Sequence, residues 1–164
     1  MAEPLRPETL SLHADDGIEP GPDISPPLHV TTTYAADNPQ GLVYGRNDHP
    51  TRYRLEAVLG ALEGGHAAVY ASGLAAVSAL LHHLHPRQVA IDGGYHGTHA
   101  VLAQWAALGV TPVPIGTALG KGDLLWLETP KNPKCEVADI AEAARRAKAA
   151  GAWLGMDSTF ATGT

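Results

Sequence analysis

The sequence is short of the residues that staple small proteins or hold metals. Its one cysteine, Cys135, excludes an internal disulfide and a multi-cysteine zinc site and fits a reducing compartment. The expected role of that thiol is a small hydrophobe in a loop. No apolar run approaches the roughly 20 residues that cross a bilayer, so no membrane partner is expected. The opening MAEPLRPETL carries no basic flank before an apolar core and no arginine-rich texture, which points to the cytoplasm. Positive charge is scarce: 11 lysines and arginines stand against 17 acids, for a net charge of −6, which excludes a broad nucleic-acid footprint. The HExxH, G-x-S-x-G, P-loop and dinucleotide-glycine patterns are also missing, which argues against the chemistries they carry. Histidine is plentiful, with His82, His83 and His85 clustered and His96 three residues before His99. On one helix end such residues splay around the axis, so no metal site is expected.

What is present has the length of one domain, 164 residues with 45% hydrophobic content, enough to bury a core. Prolines 4, 7, 20, 22, 26 and 27, with Asp15-Asp16-Gly17 and Gly21-Pro22-Asp23, mark residues 1–50 as an extended arm. An ordered arm needs a surface. PPLHVTTTY, Pro26 to Tyr34, is β-prone and apolar enough to dock on a second subunit. From Thr51 the texture changes, with Leu55, Val58, Leu59 and Leu62 spaced as the apolar stripe of a helix that stops at Gly64-Gly65. Beyond it the patterning predicts strand 67–71, helix 73–84, strand 88–92, helix 97–108, strands 111–115 and 123–128, helix 138–150 and strand 152–157. Such alternation implies βαβ units and a mostly parallel sheet, with ligands favoured at strand C-terminal ends.

Candidate site residues fall at those ends. VYASGLAAV predicts a turn at Ser72-Gly73 that opens a helix, either as an anion site or as an ordinary capped core helix. Gly73 removes a Cβ that would keep a ligand away, and Ser72 adds a hydroxyl. Tyr95 sits among glycines that let the backbone approach a ligand closely, placed to stack on a flat ring or to pack its own loop. Glu128 and Asn132 flank the Pro130 and Pro133 turns of ETPKNP. Asp157 ends the apolar strand AWLGMDSTF, where it can hold a pyridinium N–H or a metal, or cap the next turn.

Taken in order, these segments resemble the Cys/Met-metabolism family of pyridoxal-phosphate enzymes, the cystathionine γ-synthase, γ-lyase and β-lyase group. YGRNDHPTRYRLE is similar to the family's Tyr-x-Arg-x-x-Asn-Pro-Thr arm motif, with His49 in the asparagine's place. YASGLAAV resembles its phosphate-binding turn, YHGT its Tyr-Gly-Gly-Thr with His96 for a glycine, ETPKNP its Glu-Thr/Ser-Pro-x-Asn-Pro, and DSTFAT its Asp-Asn-Thr-Phe-x-Thr with Ser158 for asparagine. The resemblance implies an N-terminal arm (residues 1–50) followed by the first part of a fold-type I pyridoxal-phosphate transferase large domain (51–164). That domain is an α/β unit with a mostly parallel sheet and flanking helices, here truncated. It implies pyridoxal 5′-phosphate as cofactor, bound by Ser72, Gly73, Leu74, Tyr95, Asn132, Asp157 and Thr159, with Tyr44 and Arg46 reaching the phosphate of a neighbouring subunit. It implies a sulfur-containing amino-acid substrate, β- or γ-elimination or γ-replacement, and a homo-oligomer, either a dimer sharing active sites or a tetramer of such dimers.

The family's catalytic Schiff-base lysine lies in a Ser-x-x-Lys motif after the aspartate, whereas this sequence runs seven residues beyond Asp157. None of Lys121, Lys131, Lys134 and Lys148 lies in that motif. The expectation is therefore a chain with no catalytic residue of its own, without the C-terminal domain, poorly soluble or obligately associated. Two readings stay open: part of a transsulfuration-type enzyme, or a non-catalytic remnant that binds the cofactor weakly or associates with an intact paralogue.

Overall fold

The computed structural model describes residues 5–18 and 22–162, so Pro4, Pro20, Gly21, Gly163 and Thr164 lie outside the described residues. It divides into two compact units, the first ending at Val69 and the second beginning at Tyr70.

In the first unit, the segment expected to be extended throughout carries a two-turn helix, α1 (Pro7–His13), with proline in its first turn and Glu8 at its positive end. It packs on α2 (Pro50–Leu62). A buried ion pair joins the two regions, Arg54 Nη1 to Asp15 Oδ2 at 3.2 Å. The β-prone segment ends in a small hairpin: Thr33 bridges Tyr44, and Gly45 N donates to Thr32 O at 2.8 Å. Asn38 supports this turn by accepting from Leu42 N and donating to the carbonyls of Ala35 and Leu42. Ile24, Leu28 and Val30 remain exposed, as do Leu55 and Leu59 on the apolar stripe of α2.

The strand expected at 67–71 does not form. A strand exists only where a neighbour completes its hydrogen bonds, and the four-stranded sheet of the described residues, ordered Thr111–Pro114, Gln88–Ile91, Leu124–Glu128, Trp153–Asp157, leaves this segment out. The backbone N–H of Val69 goes instead to the Glu56 carboxylate, 3.0 Å away.

The second unit is the expected alternation. α3 (Gly73–Leu84), β1 (Gln88–Ile91), α4 (His96–Ala106), β2 (Thr111–Pro114), β3 (Leu124–Glu128), α5 (Ile140–Ala150) and β4 (Trp153–Asp157) follow in turn. All strand pairs are parallel. β2 carries Pro112 and Pro114, which an edge strand tolerates because one row of its N–H groups faces away from the ladder. β1 and β3 are apolar on both faces, as strands sandwiched by helices must be. On one face Val77 and Leu81 of α3 and Leu102 of α4 pack on Val89, Ile91, Leu124 and Trp126. On the other, Ala147 of α5 packs on Ala90 and Leu125. Helix ends follow local chemistry: Asp139 caps α5 by accepting from Glu142 N, and Gly151 ends it at φ +66°. Cys135, expected as a loop hydrophobe, is exposed at φ +55° in the turn between Lys131 and Glu136.

Candidate cofactor site

Because the strands are parallel, Ile91, Pro114, Glu128 and Asp157 all lie along one edge of the sheet. Three residues separate the end of α3 from β1, so α3 runs back along the sheet with its N-terminus directed to that same edge. Ser72 is the N-cap, its Oγ accepting from Ala75 N at 3.2 Å. The N–H groups of Gly73 and Leu74 belong to the first helical turn and have no intrahelical acceptor. The hydroxyl proton of Ser72 is still available to donate, since its cap bond uses a lone pair. The capped helix of the second reading is thus formed, and the cap leaves these groups open to the first.

Gly73 tests whether the turn fits a phosphate. A Cβ built there meets nothing within 4 Å, and its φ is not in the left-handed region. Neither packing nor backbone strain within this chain requires glycine at this position. A glycine left over by folding, in front of two unpaired N–H groups at the positive end of a helix, fits close approach by an anion.

Asp157 closes β4 opposite Glu128 in the parallel register. Registered parallel residues share a face, and Gly155, two residues earlier, faces Trp126. Asp157 and Glu128 therefore stand on the face covered by α3 and α4. Asp157 Oδ1 accepts both Thr159 N (3.0 Å) and Thr159 Oγ1 (2.6 Å), which orients the carboxylate. Oδ2 accepts no hydrogen bond among the described residues, leaving an ionisable acceptor suited to a ring N–H. Thr159 itself lies exposed on the Asp157 side chain.

Tyr95 is the half-buried N-cap of α4. Its ring lies where a Cβ on Gly97 would be, so that glycine lets the phenol fold over the first turn of the helix. His96, at the position where the family motif has glycine, meets the Tyr95 ring edge-on with centroids 4.7 Å apart. The backbone N–H of Tyr95 donates to Glu128 Oε2 at 2.6 Å, and Asn132 N donates to Glu128 Oε1 at 2.8 Å. The side-chain amide of Asn132 makes no hydrogen bond among the described residues. The glycines before Tyr95 also serve the protein's own packing. Gly93 and Gly94 are both left-handed, and a Cβ on Gly94 would run into the Glu128 carboxylate. From the other side His99 Nε2 bonds the Gly93 carbonyl at 2.6 Å. The Gly-Gly pair was visible in the sequence; what it makes room for was not.

Tyr44 and Arg46 belong to the first unit. Arg46 lies 4.8 Å above the exposed Tyr44 ring, and the hairpin to Thr33 fixes the pair locally. Nearby, Tyr53 OH donates to Asp48 Oδ1, and that bond, followed by burial, raises the phenol above its ordinary pKa. Among the described residues no group of three histidines, cysteines or acids gathers to hold a metal. His82 and His85 lie with Trp105, their own centroids 5.3 Å apart. No helix of the described residues is long and apolar enough to cross a membrane.

A parallel sheet whose C-terminal edge carries a helix N-terminus, an aromatic ring, an amide and an oriented carboxylate defines an α/β protein with a candidate ligand site at its strand ends. The chain belongs to the Cys/Met metabolism PLP-dependent enzyme family, whose sequence model matches residues 8–164. It is 36% identical over 157 residues to a putative cystathionine gamma-lyase of Streptomyces coelicolor, covering 86% of this chain and 40% of that protein. It is 32% identical over 175 residues to a cystathionine beta-lyase of Coxiella burnetii, covering 94% of this chain and 45% of that one. The apo structure of a methionine gamma lyase from Micromonospora echinospora superposes with a TM-score of 0.83 at 37% identity, over 96% of this chain and 47% of that chain. The chain thus spans somewhat under half the length of these relatives, and its fold is that of the N-terminal part of such enzymes. The cofactor of the family is pyridoxal 5′-phosphate.

Proposed function

We propose that this chain forms the cofactor-binding part of an enzyme of sulfur amino-acid metabolism, acting by β- or γ-elimination or γ-replacement on cysteine-, homocysteine- or cystathionine-like substrates in the cytoplasm. One observation carries the reading: the Gly73 turn, Tyr95, Asn132 and Asp157 share one sheet edge, with the unpaired groups each would need for a different part of one ligand. When bound, pyridoxal phosphate supplies an electron-withdrawing ring that stabilises negative charge on a substrate. The N–H groups of Gly73 and Leu74, with Ser72 Oγ, receive its phosphate. The Tyr95 ring would stack on the pyridine, and the Asn132 amide would donate a hydrogen bond to its phenolic oxygen. Asp157 Oδ2 holds the proton on the pyridine nitrogen, while Thr159 keeps that carboxylate oriented.

Tyr44 and Arg46 add cationic and hydroxyl contacts to the phosphate of a second subunit, in a homodimer or a tetramer of dimers. The exposed Ile24, Leu28 and Val30 of the arm, with Leu55 and Leu59 of α2, support such association. Titration of the full chain with pyridoxal 5′-phosphate, followed by absorbance and by size in solution, tests both. Saturable binding that Asp157→Asn weakens is expected; binding indifferent to that change refutes the reading.

A second reading, cofactor binding without covalent attachment, is favoured by the four lysines. Lys131 is paired with Glu136 at 3.5 Å, Lys121 precedes β3 and Lys148 lies in the last turn of α5, both toward the opposite edge of the sheet. Lys134 sits in the exposed turn with Cys135. Borohydride reduction separates the readings: a lysine-linked cofactor is recovered as a stable phosphopyridoxyl peptide, and an unlinked one dialyses away.

A further inference from the structure

We infer that Glu128 is a positioning residue of this site: its carboxylate locks the Tyr95 loop and the Asn132 loop into one spatial relation and so sets how a planar cofactor seats against them. The inference rests on the cofactor reading above. Glu128 ends β3, an interior strand flanked by β1 and β4, and the loops in question leave the C-terminal ends of β1 and of β3 itself. Each carboxylate oxygen takes one backbone N–H, Tyr95 at 2.6 Å and Asn132 at 2.8 Å. Both bonds are charge-assisted and partly shielded from water, the setting in which such bonds hold geometry best.

The loop before α4 is built around this acid. Gly94 adopts φ +84°, and any Cβ there would occupy the position of the carboxylate. His99 fixes the Gly93 carbonyl from the helix side. The nearest lysine of the second loop, Lys131, lays its stem beside Gly93 and turns its ammonium to Glu136. The charge of Glu128 is therefore spent on two backbone N–H groups rather than on a side-chain cation. An acid at a strand end would otherwise read as a ligand contact; here it holds the two residues expected to contact the ligand.

The distinction is testable because glutamine has the shape of glutamate but only one accepting atom. In Glu128→Gln one of the two N–H groups loses its acceptor, and in Glu128→Ala both do. The full chain is compared in three readouts: amide hydrogen exchange at Tyr95 and Asn132 without ligand, the Kd for pyridoxal 5′-phosphate, and the induced circular dichroism of the bound chromophore. Expected for Glu128→Gln are faster exchange at one or both amides, about tenfold weaker cofactor binding and a changed dichroic band. Glu128→Ala should exaggerate all three, and if it does not fold, the isosteric Gln variant decides alone. Unchanged exchange, or faster exchange with Kd and dichroism unmoved, overturns the positioning role and leaves the cofactor reading standing. A wild-type chain that does not bind the cofactor, with exchange still responsive to Glu128→Gln, overturns the cofactor reading and this inference with it.

Discussion

Substituting Gly73 by alanine should make the chain more stable and the site worse. The residue sits in the first turn of α3 with ordinary helical φ, and the added methyl would enter open space. Alanine then restricts the unfolded chain without strain in the folded one, a gain of about 0.5 kcal/mol at a helix end, where the full interior difference of about 1 kcal/mol is not realised. For a chain of this size that corresponds to a rise in Tm of roughly 1–2 °C. The same methyl stands where a phosphate oxygen must approach the Gly73 and Leu74 N–H groups. Losing one charge-assisted bond of about 1.5–3 kcal/mol weakens binding at least about tenfold. Ser72→Ala supplies the contrast: it removes the bond to Ala75 N and should destabilise by about 1 kcal/mol. Thermal melts without ligand and calorimetric titrations with pyridoxal 5′-phosphate and with inorganic phosphate measure both effects. A lower Tm for Gly73→Ala would show that the glycine serves folding. Unchanged affinity for both anions would show that the turn is only a cap.

Three further outcomes follow from particular contacts. Asp157→Asn keeps the Thr159 bonds at Oδ1 but removes the charge that retains a proton on a ring nitrogen, so affinity for pyridoxal 5′-phosphate should fall about tenfold with Tm nearly unchanged, measured by equilibrium dialysis beside a melt. Asp123, fully buried before β3, accepts from Gly120 N at 2.8 Å and Gln88 Nε2 at 3.3 Å. Asp123→Ala leaves those donors without an acceptor and should cost about 2–3 kcal/mol in denaturant unfolding. Tyr53 has a folded pKa raised above its ordinary value, chiefly by the hydrogen bond to Asp48. Its contribution to stability is thus complete below pH of about 10 and is lost as pH rises through the folded pKa. Tyr53→Phe should flatten the alkaline arm of a stability–pH curve and remove a phenol that ionises above the ordinary value in an ultraviolet titration.

The sequence alone was enough for the local structure of residues 73–157. Apolar spacing set the helices and strands of residues 73–157 to within a residue or two, because burial on a helix stripe or strand face imposes its own period. Ser72 marked a helix start because a cap needs only its own turn. The same holds for the motifs: Gly73, Tyr95, Asn132 and Asp157 were legible as site candidates because small-residue turns and polar strand ends announce themselves in one dimension. Other features were decided only when distant segments met. Residues 67–71 have the apolar, β-prone texture of a strand yet form none, since pairing depends on a neighbour and not on the segment itself. The arm folds a short helix and a hairpin where proline density suggested plain extension. Gly94 read as room for a ligand, and Glu128, some 34 positions away, stands where its Cβ would be. That Glu128 and Asp157 share a face follows from the parallel register of β3 and β4, a relation between chain segments that no single stretch of sequence contains.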